Sequence, residues 1–298
     1  ANDDIDLTVN PGEILALLGE NGSGKTTLMN MLSGMYAPDR GQIYLGGRPV
    51  AIRSPHDAIK LGIGMIHQHF KLVDVLSVAE NIVLGTRFTG RAAEARLREI
   101  SERVGLTVDP KRSVYSLSVG EKQTVEIMKV LYRGSNMLIL DEPTAVLTPQ
   151  EIERLFVILR RMRQEGCAVI IITHKLGEVM AISDRVTILR KGRAVATVRT
   201  AKTNMLKLTE LMVGGQVDLS IARPETEKRP AVLEVDHLTV VGADKVRALD
   251  DVSFSLMGGE ILGVAGVAGS GQKQLCEAIA GLQGAAEGAI LHNRVNIC

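Results

Sequence analysis

A short apolar run followed by a glycine-rich loop occurs twice in this chain, and no other feature restricts the fold as much. Residues from Ala1, ANDDIDLTVNPGEILALLGENGSGKTTL, align without a gap to residues from Ala248, ALDDVSFSLMGGEILGVAGVAGSGQKQL; Ala248 minus Ala1 and Gly266 minus Gly19 both give 247. Shared positions include Asp3 and Asp250, Gly12 and Gly259, Glu13 and Glu260, and Gly24 and Gly271, and the match continues to Ile43 and Ile290. Self-similarity at a fixed offset marks a repeated structural unit. The sequence therefore predicts one domain over 1–213, a linker over 214–231, and a truncated, degenerate second copy over 232–298. The linker stretch is polar and carries Pro224 and Pro230, as expected of a connecting segment. The second copy opens near Val232 on an alternating strand, VLEVDHLTV, which the first copy lacks, so both ends are expected to be cut from a longer two-copy polypeptide.

Hydrophobic periodicity supplies the fold class. Short continuous apolar runs at 14–18, 137–140 and 168–172 suit parallel strands buried on both faces. Helical patterns lie at 92–104, 120–132 and 150–164. Strand, glycine loop and helix alternate, which predicts an α/β nucleotide-binding core with a mainly parallel sheet. No apolar run approaches the roughly 20 residues needed to cross a bilayer as a helix. Lys plus Arg, 35, nearly balances Asp plus Glu, 34, so no strong field favours nucleic acid, and no nucleic-acid partner is expected. Three cysteines, Cys167, Cys276 and Cys298, suit neither a disulfide framework nor a metal site and read as reduced thiols.

The chemistry is carried by Gly19-Glu20-Asn21-Gly22-Ser23-Gly24-Lys25-Thr26, a full Walker A loop, with Thr27 beside it. Its backbone N–H groups and the following helix dipole attract phosphate oxygens. Lys25 is placed to reach the β- and γ-phosphates of ATP, and the Thr26 hydroxyl to ligate Mg²⁺. The strand MLIL then delivers Asp141 and Glu142 at its C-terminal end, where open α/β sheets bind ligands. Asp141 suits the Mg²⁺ shell; Glu142 suits orientation or deprotonation of an attacking water. His174 follows the next apolar run in IITHK and is a candidate contact to the γ-phosphate. His67 and His69 form a His-x-His pair with no further ligand nearby, so zinc is not expected there.

With these motifs in order, Ser118-Val119-Gly120-Glu121, inside YSLSVGEKQTVEI, resembles the signature segment of ABC transporter ATPases. That resemblance implies that the segment meets the γ-phosphate of a nucleotide held by an opposite domain. Gln68, in GMIHQHF, is similar to the family's Q-loop glutamine, which implies contacts to Mg²⁺ and the attacking water and a route toward a membrane subunit. The family's fold adds an antiparallel β subdomain and a helical subdomain near residues 75–130. The segments IHQHF, LDEPTAVLTPQE and ITHKLGEVMAISDRVTILRKGR look like the duplicated ATPases of nucleoside and simple-sugar importers, the nucleoside branch most of all. Departures from the wider pattern are Val119, Glu121 and Thr148, which suit this subgroup, and Lys122 and Thr124, which are less usual.

The resemblance implies an ATP-hydrolysing subunit on the cytoplasmic face of the cell membrane. Its partners would be integral membrane permease subunits and, indirectly, an extracytoplasmic solute-binding protein. Two other readings stay open at this point: a soluble, non-transport ABC ATPase acting on ribosomes or DNA, and a non-hydrolytic nucleotide-binding regulator. In the second copy the loop reads Gly266-Val267-Ala268-Gly269-Ser270-Gly271-Gln272-Lys273. Gln272 replaces the phosphate-binding lysine and Lys273 the metal-binding hydroxyl, so a degenerate nucleotide site is expected there.

Overall fold

The computed structural model describes residues 2–86, 90–106, 108–216, 229–242, 246–266 and 269–297. The chain divides into two compact units, Ala1–Asp218 and Leu219–Cys298. Most of the expected linker, 217–228, lies outside the described residues, as do Val267 and Ala268.

The first unit begins with β1 (Ile14–Leu18), the glycine loop and α1 (Lys25–Leu32). A hairpin of β2 (Ile43–Leu45) and β3 (Arg48–Val50), a short α2 (Pro55–Lys60) and β4 (Ile63–Ile66) follow. The helical part comprises α3 (Val78–Val83), α4 (Gly90–Val104) and α5 (Val119–Tyr132). Then come β5 (Met137–Asp141), α6 (Pro149–Gln164), β6 (Ala168–Ile172), α7 (Leu176–Ile182), β7 (Arg185–Arg190), β8 (Arg193–Arg199) and α8 (Met205–Val213).

Strand order in the main sheet is β4-β5-β6-β1-β7-β8. The first five of these run parallel, and β8 is antiparallel to β7. All five residues of β1 are buried, because helices cover the sheet and leave both faces without water. Ile14, Val169, Ile171, Leu138 and Leu140 pack into one core; Leu17, Ile139, Ile170 and Ile172 pack into another. This alternation follows from the period of two along each strand.

Helix starts are set by local chemistry. Ser77, Ser118 and Thr148 each close a capping box, with Glu80, Glu121 and Glu151 three residues on. Proline at the first helical position and a capping side chain fix the start of α6 at Thr148, where Thr does what a shorter polar cap would also do.

The second unit holds β9 (Ala231–Val241), β10 (Arg247–Met257), α9 (Gln272–Ile279), β11 (Glu287–His292) and β12 (Val295–Asn296). Its sheet is antiparallel, in the order β10-β9-β11-β12. Residues 261–265 match β1 at the 247-residue offset, yet they form no strand, and Ile261 is 97% exposed. Conversely, β10 is a long strand, while its counterpart at 2–10 is irregular. A strand needs a neighbour to take its N–H and C=O groups. Among the described residues, β10 pairs with β9, and β1 with β6 and β7, whereas 2–10 and 261–265 pair with no strand.

Cys167 sits under the main sheet at 9% exposure, and burial pushes its thiol up to about 11. Cys276 is exposed. At pH 8 the Cys167 thiolate fraction is therefore on the order of one in a thousand. Treating the native protein with iodoacetamide at that pH is expected to label Cys276 and leave Cys167 unmodified by mass spectrometry, until denaturant is added.

Candidate active site

Three neighbouring strands bring their C-terminal ends to one edge of the sheet. Leu17 pairs with Ile172, and Ile172 pairs with Asp141. The segments that follow β1, β5 and β6 therefore emerge side by side, carrying the loop 19–24, Glu142 and His174. Topology makes the site: the three segments are far apart in sequence and adjacent only because β6 lies between β5 and β1.

The loop is shaped by backbone that only glycine takes easily. Gly19 has φ 155°, and a Cβ there would lie 2.3 Å from the Leu189 carbonyl oxygen. Gly24, φ 100°, caps α1 with no side-chain hydrogen bond, and no acidic residue stands in the first turn of that helix. The first N–H groups of α1 are thus left to an outside anion. Lys25 is 7% exposed and donates to the carbonyls of Gly19 at 2.7 Å and Glu20 at 2.9 Å. The buried Ser23 hydroxyl has no partner in this loop. Orphan donors around a buried ammonium fit a phosphate chain, whose oxygens would satisfy them together. Thr26 is exposed at the start of α1, and Thr27 lies half-buried beside it.

Opposite the lysine stand the two acids. Burial raises the Asp141 carboxyl above its ordinary range, and the adjacent Glu142 raises it further; His67 and Lys25 oppose the rise. Burial likewise lowers the Lys25 ammonium, against the pull of Glu142 and then Asp141. Two close carboxylates with one strained toward protonation are the environment that a divalent cation relieves. Carboxylate oxygens in such a setting fit a hard divalent cation such as Mg²⁺. Glu142 sits at φ 46° in the left-handed region, pinned by its N–H to the Ile172 carbonyl at 2.9 Å. His174 Nδ1 lies 3.0 Å from Glu142 Oε1.

Gln68 is exposed two residues beyond β4, which pairs with β5 up to Ile66 and Leu140. It emerges at the same edge as Asp141. Its neighbour His67 is the first of the groups that hold the Asp141 carboxyl down. Ser118 caps α5, and Val119, Gly120 and Glu121 form its first turn. Glu121 accepts from the Ser118 N–H at 2.8 Å and pairs with Arg112, and Glu151 Oε1 accepts from the Gly120 N–H at 3.1 Å. Glu121 is thus a helix cap. Sequence reading missed Glu151, Thr144, Thr173 and Glu178; Glu151 reaches Gly120 across 31 positions and Glu178 reaches Thr144 across 34, beyond any local pattern.

In the second unit Gly269 has φ 87° and Gly271 φ 89°, close to the 79° of Gly22 and 100° of Gly24. Gln272 Nε2 donates to the Gly266 carbonyl at 3.3 Å, as Lys25 does to Gly19. Ser270 is exposed before α9, and Lys273 pairs with Glu277 at 3.6 Å.

The sequence profile of the family described as ABC transporter matches residues 2–145. The chain is 45% identical to the nucleoside import ATP-binding protein NupA of Lactococcus lactis, over 99% of this chain and 60% of that protein. It is 47% identical to the guanosine import ATP-binding protein NupO of Bacillus subtilis, over 98% of this chain and 59% of that protein. Residues 2–145, in the first unit, belong to the ABC transporter family. It spans about three fifths of the length of the curated relatives it matches. Among solved ABC structures, cbiO1 from Clostridium perfringens, part of an ABC transporter complex, is 28% identical with a TM-score of 0.61, over 72% of this chain and 89% of that one. The ABC fold accounts for the parallel core, the helical part at 78–132 and the β-hairpin of this chain.

Proposed function

We propose that the first unit binds Mg-ATP at the loop 19–27 and hydrolyses it, as the ATPase subunit of an importer. One observation carries this reading: a buried lysine in a glycine loop, an Asp-Glu pair and a histidine converge at the ends of three adjacent parallel strands. In this assignment the loop N–H groups and Lys25 bind the phosphates. Glu142 accepts or orients the proton of the attacking water, and His174 holds the Glu142 carboxylate and faces the terminal phosphate. Mg²⁺, held by Asp141 and Thr26 with Gln68 nearby, would supply charge neutralisation on the phosphate oxygens. A non-hydrolytic regulator needs no carboxylate at a water-activating position, and Glu142 with His174 speaks against it.

The relatives' names support import of a nucleoside or a simple sugar, through membrane permease subunits and, indirectly, an extracytoplasmic solute-binding protein. That role puts the protein at the cytoplasmic face of the membrane. Among the described residues no helix is long and apolar enough to cross it. The second unit fits a partial second copy in which Gly269 and Gly271 keep the positive φ of Gly22 and Gly24, while Gln272 and Lys273 replace the phosphate-binding lysine and the metal-binding hydroxyl. Ser118 and Gly120, at the start of α5, are assigned to the nucleotide of an opposite domain.

The test is ligand-linked stability followed by turnover. Mg-ATP at about 100 times its Kd should stabilise the chain by about 2.7 kcal/mol and raise Tm by roughly 5–10 °C. Phosphate release should follow. No Tm shift at millimolar Mg-ATP, with no phosphate released, would sink the assignment.

A further inference from the structure

Beyond the residues assigned above lies a further carboxylate, in the segment that follows His174. Glu178 stands in the first turn of α7 with its side chain only 11% exposed. Its Oε2 accepts from the Thr144 hydroxyl at 2.7 Å and from the Thr173 hydroxyl at 3.2 Å. Its Oε1 pairs with Lys175 Nζ at 3.1 Å, and that ammonium also donates to the Thr144 carbonyl at 3.0 Å. Thr144 and Thr173 are each 2% exposed.

The two threonines belong to different loops. Thr144 follows Glu142 by two residues after β5, and Thr173 immediately precedes His174 after β6. We propose that Glu178 is a positioning residue, whose carboxylate bolts these two loops together and so fixes His174 against Glu142. The inference deepens the reading of the first unit as an ATPase and rests on it.

The chemistry favours this over a plain helix cap. A carboxylate in a first turn usually serves the free N–H groups of its own helix. Here both oxygens are engaged by side chains from outside α7. A charged acceptor makes stronger hydrogen bonds than a neutral one, and in a nearly dry setting two hydroxyls aimed at one oxygen leave little freedom. Glu142 is held by its own backbone to Ile172, so the remaining freedom in the pair is that of the His174 loop. Losing the bolt would let that loop shift by a fraction of an ångström or more, and displacements on that scale lower turnover without touching the phosphate loop.

The experiment uses the full chain with Glu178→Gln, Thr144→Val and Thr173→Val, beside Thr144→Ser and Thr173→Ser. Glutamine keeps the size but loses the charge and one acceptor; valine keeps the shape but loses the hydroxyl. Expected are about tenfold lower kcat for Glu178→Gln and Thr144→Val, KM for Mg-ATP within about twofold, and near wild-type values for the serine variants. In parallel, the six histidines are isotope-labelled and the His174 ring resonances assigned by its substitution. Those resonances should move in Glu178→Gln and Thr144→Val and stay in place in the serine variants. Unchanged resonances with unchanged kcat overturn the proposal. So does a parallel decline of kcat, ATP affinity and Tm, which is the mark of a merely structural role. If the wild type releases no phosphate, the ATPase assignment fails, while the resonances still decide whether Glu178 positions His174.

Discussion

Glu142→Gln is expected to lower ATP turnover by roughly 10²–10⁴-fold while leaving Mg-ATP affinity intact. The amide keeps the size of the side chain and loses the basic oxygen next to His174 Nδ1. Backbone contacts hold the position: the N–H of residue 142 bonds to Ile172 and its carbonyl accepts from Ala145. Binding is spared for an electrostatic reason. Glu142 is the second cause, after burial, that raises the Asp141 carboxyl, so removing its charge leaves Asp141 more readily ionised for Mg²⁺. The site also becomes less negative toward an anionic ligand. Equilibrium titration with Mg-ATP and a steady-state phosphate assay, run on the same preparation, check both halves. Wild-type turnover in Glu142→Gln would remove this residue from the reaction.

Lys25→Ala acts on the other step. The ammonium is buried in the loop, and burial already lowers its pKa, so its charge is sustained by the neighbouring acids and, when bound, by phosphate. Truncating one partner of a buried charged contact costs about 2–4 kcal/mol, which is roughly 30- to 1000-fold in Kd. The loop itself is expected to survive. In the second unit Gly269 and Gly271 keep positive φ with Gln272 in the place of the lysine, bonded to the equivalent carbonyl, that of Gly266. Lys25→Gln is therefore the gentler companion variant, predicted to fold normally and to bind Mg-ATP almost as poorly as Lys25→Ala. Unchanged affinity in both, measured by calorimetry, would mean that the phosphates do not lie against this loop.

Much of the first unit is legible in its residues because the signals are local. Apolar runs at 14–18, 137–140 and 168–172 become β1, β5 and β6, whose central residues are fully buried. Serine or threonine three residues before glutamate marks the starts of α3, α5 and α6. The glycine loop announces phosphate binding, since Gly22 and Gly24 need positive φ and the lysine has no other evident use. Glu121, assigned to the signature by its place in a pattern, also caps Ser118 and pairs with Arg112, nine positions back.

What the residues alone determined is therefore the type of each element and the chemical kind of the site. Only the tertiary structure decided which ends meet. Sheet order sets Glu142 beside His174, and Glu178 reaches Thr144 across 34 positions, because strand neighbours are chosen by packing over the whole unit. The repeat makes the same point most directly. ILALL at 14–18 is a buried strand, whereas ILGVA at 261–265 is exposed and outside any strand. Residues 249–257 belong to β10, whereas the matching residues 2–10 are irregular. Nearly the same local sequence gives two outcomes, since a strand's backbone hydrogen bonds and buried faces are completed by other strands, and periodicity carries no information on whether those strands are at hand.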